Sequence, residues 1–146
     1  MTALDAEAVI ALLELEPHPE GGYFREVYRD RPTGGERGRA TTIYYLLKAG
    51  EVSAWHRVDA VEIWHFYSGA PLKLGVSLDN IEVETNILGM DLAAGARPVA
   101  VVPAHAWQSA SSLGAWTLAG CTVAPAFTFE GFEMAPTRWA PGGGRG

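Results

Sequence analysis

Residues Ser53–Gly69, SAWHRVDAVEIWHFYSG, place two histidines, two acids, an arginine and two tryptophans in a stretch that otherwise alternates like a half-buried strand. Successive side chains of an extended chain point to opposite faces. His56, Val58, Glu62, Trp64 and Phe66 therefore share one face and Trp55, Arg57, Val61, Ile63 and His65 the other, provided that the turn around Val58, Asp59 and Ala60 has even length. On that reading His56 and Glu62 look into one cavity from neighbouring strands. A buried imidazole and a buried carboxylate each need a partner, and each can serve the other by a direct hydrogen bond, through a water or through a shared metal.

The same strand rhythm extends in both directions. GYFREVYR, ATTIYYLL, VSAWHRV, VEIWHFYSG, LKLGVSL, IEVETNIL, PVAVVPA and AWTLAGCTV are short, β-branched or aromatic, and divided by Gly, Pro, Asp or Asn. About eight strands with no helical pattern between them exclude a parallel βαβ sheet and favour an all-β barrel or sandwich. Ahead of them, Val9, Ile10, Leu12 and Leu13 recur at helical spacing between Asp5 and Glu14, with Thr2 or Asp5 as N-cap and EPHPEGG as the stop. The glycine-rich end, residues 140–146, has nothing to bury and reads as a flexible tail.

Size and charge narrow the partners. A chain of 146 residues with 48% hydrophobic content is expected to form a single domain, 1–146. Seventeen acids against 11 bases give a net charge of -6, which disfavours nucleic acid and anionic membrane surfaces and leaves small molecules. The run AVIALLEL is broken by Glu14 and preceded by acids, so neither a signal peptide nor an anchor is expected. Cys121 is the only cysteine and reads as a small core residue; without an intramolecular disulfide, a reducing cytoplasmic compartment is the expectation.

His56, Glu62 six residues on and Gly69 seven further resemble the first signature of the cupin superfamily, in which a strand pair carries His-x-His, a glutamate and a closing glycine. VPAHAWQSA matches the second signature loosely: Pro103 fits, His105 stands in the glycine place and Gln108 in that of the metal-binding histidine. Val58 replaces the second histidine of the first signature, so two of the usual metal ligands are absent. With HPEGGYFREVYR, TTIYYLL and WHRVDAVEIWHFYSGAPLKL, the chain from His18 to Ala110 is similar to the cupin-5 branch, catalogued as a domain of unknown function. The resemblance implies a double-stranded β-helix, the cupin jelly-roll barrel, over residues 18–135. A short N-terminal helix and linker precede it in residues 1–17. It further implies a pocket at the wide end, a homodimer, and structural likeness to deoxysugar epimerases of the RmlC-like kind and to auxin-binding and seed-storage cupins.

Within such a pocket the residues leave several chemistries open. His56, Glu62 and the amide oxygen of Gln108 could hold a divalent metal, although an amide is a poor ligand beside imidazole and His105 or His65 would have to turn inward to strengthen the set. The favoured reading is metal-free, with no cofactor: His56, Glu62 and Gln108 orient a small polar metabolite between the apolar walls Trp64, Phe66 and Trp107. His56 beside Glu62 is then a candidate general base for isomerase or epimerase chemistry on a sugar or nucleotide-sugar derivative, with Tyr44, Tyr45 and Tyr67 as candidate proton donors. A non-catalytic binding cupin is the competing class. Arg25, Arg29, Arg31, Arg37 and Arg39 form a local basic cluster able to clamp an anionic group, or else a solvated strand and turn. HPEGG reads most simply as a tight turn, with His18 and Glu20 near the pocket mouth only if the first strands wrap the barrel.

Overall fold

The computed structural model describes residues 4–143. Helix α1 (Ala6–Leu13) starts where the Ala8 amide donates to the Asp5 carboxylate at 2.8 Å, and it ends at Glu14 in the left-handed conformation, φ 55°. Asp5 is thus the cap; Thr2 lies outside the described residues. The strands are β1 (Glu16–Pro17), β2 (Tyr23–Arg29), β3 (Thr41–Lys48), β4 (Val52–Val58), β5 (Val61–Gly69), β6 (Leu72–Ser77), β7 (Glu84–Leu88), β8 (Val99–Val102), β9 (Trp107–Ser112), β10 (Trp116–Ala124) and β11 (Phe132–Met134). They form two antiparallel sheets, six-stranded in the order β1-β2-β3-β10-β5-β8 and five-stranded in the order β11-β4-β9-β6-β7. Among the described residues no helix is long and apolar enough to cross a membrane.

The segments read as strands from the sequence correspond to β2 through β8 and β10. Strand β9 escaped that reading because its sequence, WQSASS, is polar and small. Its stability comes from position: β4 and β6 pair with it on either side, so its backbone is satisfied whatever its hydrophobicity. The C-terminal end also departs from expectation. Trp139 packs on Trp107 at 4.7 Å and on Trp55 at 6.3 Å, Pro141 is buried, and the Gly142 amide donates to Asn80 O at 2.6 Å. Residues 140–143 are therefore held against the outside of the five-stranded sheet rather than forming a free tail, while 144–146 lie outside the described residues.

The inner faces of the two sheets change character along their length. Toward one end Leu47, Leu72, Leu74 and Leu88 fill the space between them with Trp64 and Tyr45. Toward the other, the same strands present Thr41 on β3, Val58 on β4, Glu62 on β5 and Val123 on β10, with Val123 directly opposite both Thr41 and Glu62. Side chains there are too short or too polar to fill the barrel, and a cavity of about 450 Å³ results.

Helix α1 seals the outer face of the six-stranded sheet by packing Val9 against Leu46, which is fully buried beside Leu15. Burial of such side chains is the main favourable term in folding. Leu46→Ala removes the leucine that helix and sheet share. It is expected to cost about 2–5 kcal/mol, read as a lowered midpoint in urea denaturation with unchanged slope.

Candidate functional site

The corner between β4 and β5 consists of Asp59 and Ala60 alone, so the inward parity passes unbroken from Val58 to Glu62. The two strands do not form a hairpin. Strand β4 belongs to the five-stranded sheet and β5 to the six-stranded one, so His56 and Glu62 face the cavity from opposite sheets. A register irregularity between Ser53 and His56 against β9 turns Ser53 inward as well, and both residues are fully buried.

The HPEGG segment is both a tight turn and part of the cavity. The Gly21 amide donates to His18 O at 3.0 Å and the His18 amide to Gly22 O at 2.9 Å, while His18 and Glu20 line the cavity. Gly21 and Gly22 adopt φ of 106° and 77°, and a Cβ on Gly21 would collide with the Val52 carbonyl oxygen, so the turn sits flush against β4. Tyr45 locks it by donating its hydroxyl to Gly21 O. Glu20 is thereby delivered to the cavity floor, where Ser53 Oγ donates to its Oε2. Nothing in residue spacing announces this role for Glu20; the paired glycines after it were the available signal.

Four titratable side chains meet on the floor. Glu20 Oε1 lies 3.3 Å from His18 Nδ1, and Glu20 Oε2 lies 3.5 Å from His56 Nε2. His56 Nδ1 sits 2.7 Å from Ala54 O, which only an N–H can satisfy, so in the neutral ring Nε2 carries a lone pair toward Glu20. His18 Nδ1 accepts the Glu20 amide at 3.1 Å and is likewise a lone pair. Both imidazole nitrogens facing Glu20 are thus acceptors, and the carboxyl between them is best satisfied when it holds a proton. Burial acts in the same sense: it pushes Glu20 up to about 7 against the Ser53 hydrogen bond, and Glu62 up to about 7 with the nearby Glu20 adding to the effect. His18 is drawn down to about 4 by burial and by His56, and burial holds His56 below its ordinary value against the pull of Glu62.

Gln108 orients Glu62 from behind. The Trp64 indole N–H, a donor only, reaches Gln108 Oε1 at 2.9 Å, which fixes the amide so that Nε2 donates to Glu62 Oε1 at 2.8 Å. Gln108 and Trp64 are buried beneath the cavity rather than lining it. Phe66 packs into the apolar core, and Trp107 lies on the opposite face of β9, under the Arg57 guanidinium at 4.6 Å. The expected walls Trp64, Phe66 and Trp107 are replaced by Phe24, Phe127, Phe129 and Phe132, because the cavity lies at the Glu62 end of β5 and not at the Phe66 end. Tyr45 is buried beneath the turn, whereas Tyr44 and Tyr67 stack edge-on at 6.3 Å away from the cavity. His65 does not line the cavity, and His105, in left-handed conformation at φ 70°, lies exposed beside a second depression with Asp59.

The metal set inferred from the resemblance does not assemble. Val58 points into the cavity where a second histidine would stand, Gln108 is occupied between Trp64 and Glu62, and among the described residues no three His, Cys, Asp or Glu side chains are grouped to hold a metal ion. Of the arginine cluster, Arg37 forks the Asp59 carboxylate at 3.0 and 2.7 Å and so braces the corner, and Arg29 forks Glu26 at 2.9 and 3.0 Å. Cys121 is buried, and burial raises its thiol well above the usual range.

Comparison with known proteins agrees with this architecture. Residues 7–135 match the family Cupin_5, described as Cupin superfamily (DUF985), and the chain belongs to it. A crystal structure of a Shewanella oneidensis protein is similar at 39% identity and a TM-score of 0.88, covering 92% of this chain and 87% of that one. A hypothetical protein from Leishmania major is similar at 30% identity and a TM-score of 0.83, covering 93% and 90%. Oxalate decarboxylase from Bacillus subtilis shares the fold at 14% identity and a TM-score of 0.64, over 84% of this chain and 30% of that one. No functionally curated protein is significantly similar in sequence. The fold is thus the all-β cupin fold with one short helix.

The four floor groups predict a distinctive pH response. In the unfolded chain between about pH 5 and 6 both imidazoles are largely protonated and both carboxyls largely ionised, whereas folding raises the carboxyls to about 7, draws His18 down to about 4 and lowers His56, so that protons move from the imidazoles to the carboxyls. The proton counts balance, and the floor contributes little slope to stability in that window. Glu20→Gln removes one carboxyl that gains a proton on folding, so the unfolded state binds one proton more than the folded. Stability of this variant is expected to rise with pH by about 1.4 kcal/mol per unit between about pH 5 and 6.5 relative to the parent, measured by urea denaturation. An equal slope in both proteins would contradict the floor arrangement.

Proposed function

We propose that this chain, as a single cupin domain, binds a small polar metabolite in the barrel cavity, of the sugar or nucleotide-sugar class, and transfers a proton on it as an isomerase or epimerase does. The observation that carries the reading is that His56 and Glu62 line one cavity from opposite sheets, with the His56 Nε2 lone pair facing Glu20 on its floor. Nε2 takes the proton from a carbon next to a carbonyl, and the protonated carboxyl donates to the carbonyl oxygen as negative charge develops there. Return of that proton from His56 to the neighbouring carbon, with the hydroxyl proton of the carbon it left passing to Glu62, gives an isomer; an epimer requires a donor other than His56 on the opposite face. Glu20 lies 3.5 Å from Nε2 and, in its ionised form, accepts the abstracted proton from it. Phenylalanine walls suit the apolar face of a ring, and buried water-excluding sites strengthen each polar contact.

The test is hydrogen exchange. Incubated in D2O with a panel of aldoses and ketoses, the protein is expected to wash deuterium into the position next to the carbonyl of its ligand, seen by proton NMR, and His56→Gln to lower that rate by at least about a hundredfold with binding retained. Saturable binding without any exchange in the parent protein would leave a binding cupin and remove the catalytic reading.

We also infer a cytoplasmic homodimer. The outer face of the six-stranded sheet beyond helix α1 exposes Tyr28, Tyr67, Val99 and Val101, each about half accessible, on strands that run to the sheet edge. A second copy of the same face would cover them with two-fold symmetry. Light scattering at tens of micromolar is expected to give twice 15.7 kDa, and Tyr67→Arg to shift the population to the single chain; a monomeric parent protein would end the proposal.

A further inference from the structure

We propose that the cavity selects a small organic cation, an amine or quaternary ammonium group on a compact skeleton, over neutral and anionic ligands of the same shape. This rests on the reading that the cavity is the ligand site, and it narrows the class of ligand. Two arginines and several carboxyls line the walls, and both arginines are already engaged. Arg29 forks Glu26 at 2.9 and 3.0 Å, and Arg25 lies 3.6 Å from Glu14. Those pairs cancel in charge. Glu16 at the rim and Glu20 and Glu62 on the floor remain, with no Lys or Arg paired to them among the described residues.

The hydrogen-bonding inventory points the same way. Glu62 is 7% exposed; Gln108 donates to its Oε1, and the buried Cys121 thiol is a second, weaker donor to the carboxyl. Nε2 of neutral His56 offers a further lone pair. Once the floor carboxyls ionise, the groups facing the cavity are acceptors, which an ammonium group satisfies and a carboxylate or phosphate does not. Burial holds the floor carboxyls near about 7, so an arriving positive charge ionises them readily, whereas charging His18 for an anion works against a value drawn down to about 4.

The aromatic wall is an independent second observation. Phe127, Phe129 and Phe132 enclose the side of the cavity with centroids 5.1 to 6.3 Å apart, and Phe24 stands beside His18 at 4.6 Å. Ring faces carry negative electrostatic potential and attract cations, most strongly where water is excluded.

Two sets of isosteres test this on the full chain by titration calorimetry near pH 7. Glucosamine, glucose and glucuronate form the sugar set. Choline, 3,3-dimethylbutan-1-ol and 3,3-dimethylbutanoate vary charge without a sugar ring. The cation of a set is expected to bind at least about tenfold more tightly than its neutral isostere, with the anion weakest. Neutral or anionic members that bind as well as the cation overturn the proposal. A silent sugar set with choline preferred removes the sugar reading and leaves the cation preference, while glucose binding as well as glucosamine does the reverse. Silence in both sets removes both. Glu62→Gln keeps the acceptor for Gln108, and the exposed Glu16→Gln keeps the test available if the buried variant fails to fold. Each is expected to shrink the cation-to-neutral ratio, and a ratio unchanged in every folded variant counts against the proposal.

Discussion

Two residues, Asp59 and Ala60, carry the chain from one sheet to the other, and the site depends on that brevity. One residue more or fewer would reverse the parity of β5, sending Glu62, Trp64 and Phe66 to the outside and Ile63 and His65 to the interior. The corner is correspondingly over-determined. Arg37 grips the Asp59 carboxylate with both arms of its guanidinium, the Asp59 amide donates to Gly131 O at 3.0 Å, and the His105 amide donates to Val58 O at 2.7 Å. Ala60 is buried with Val58 and Val123 beneath Phe127 and Phe132, so the apolar cluster that fixes the corner also supplies the cavity wall.

Behind the cavity a second constraint operates. A buried carboxyl costs free energy unless a donor meets it, and a buried amide has two ends that demand different partners. Trp64 resolves the amide because its indole can only donate, so Gln108 has a single satisfying orientation. The arrangement lets Glu62 lie 7% exposed at the base of the cavity, with Gln108 holding one oxygen and the Cys121 thiol also hydrogen-bonded to the carboxyl. Removing the indole donor would free the amide to invert and present its oxygen to Glu62, a repulsive contact unless that carboxyl were protonated.

The legible part of the fold was the part written in alternation. Strands β2 to β8 and β10 carry β-branched and aromatic residues at period two, and the face shared by His56 and Glu62 followed from counting across an even turn. Strand β9 was not legible as a strand, since small and polar residues satisfy a central position flanked by two ladders without any hydrophobic signature. The aromatic walls were misread for a related reason. Parity says that Trp64 and Phe66 point inward, but not how far along the barrel axis the cavity lies, and the phenylalanines that line it come mostly from the segment after β10, which has no periodic pattern. Glu20 was legible only as a conditional candidate beside the simpler reading of a tight turn, because its delivery depends on a glycine turn pressed against β4, a contact between residues 33 apart in sequence.

Val58 and Glu20 act together on the electrostatics of the cavity floor. Val58 occupies the inward position next after His56 on β4, and an apolar side chain there raises the cost of any charge held by its neighbours. With no Lys or Arg paired on the floor among the described residues, burial favours the neutral forms of the two carboxyls and two imidazoles, raising the carboxyls and lowering the imidazoles. Burial, with Glu20 acting on Glu62 and His56 on His18, thereby favours a neutral imidazole beside a neutral carboxyl, the pairing on which the proposed proton transfer rests. The same neutrality leaves the floor without a positive side chain among the described residues, so the proposed proton transfer at His56 and the proposed preference for cationic ligands rest on one electrostatic feature.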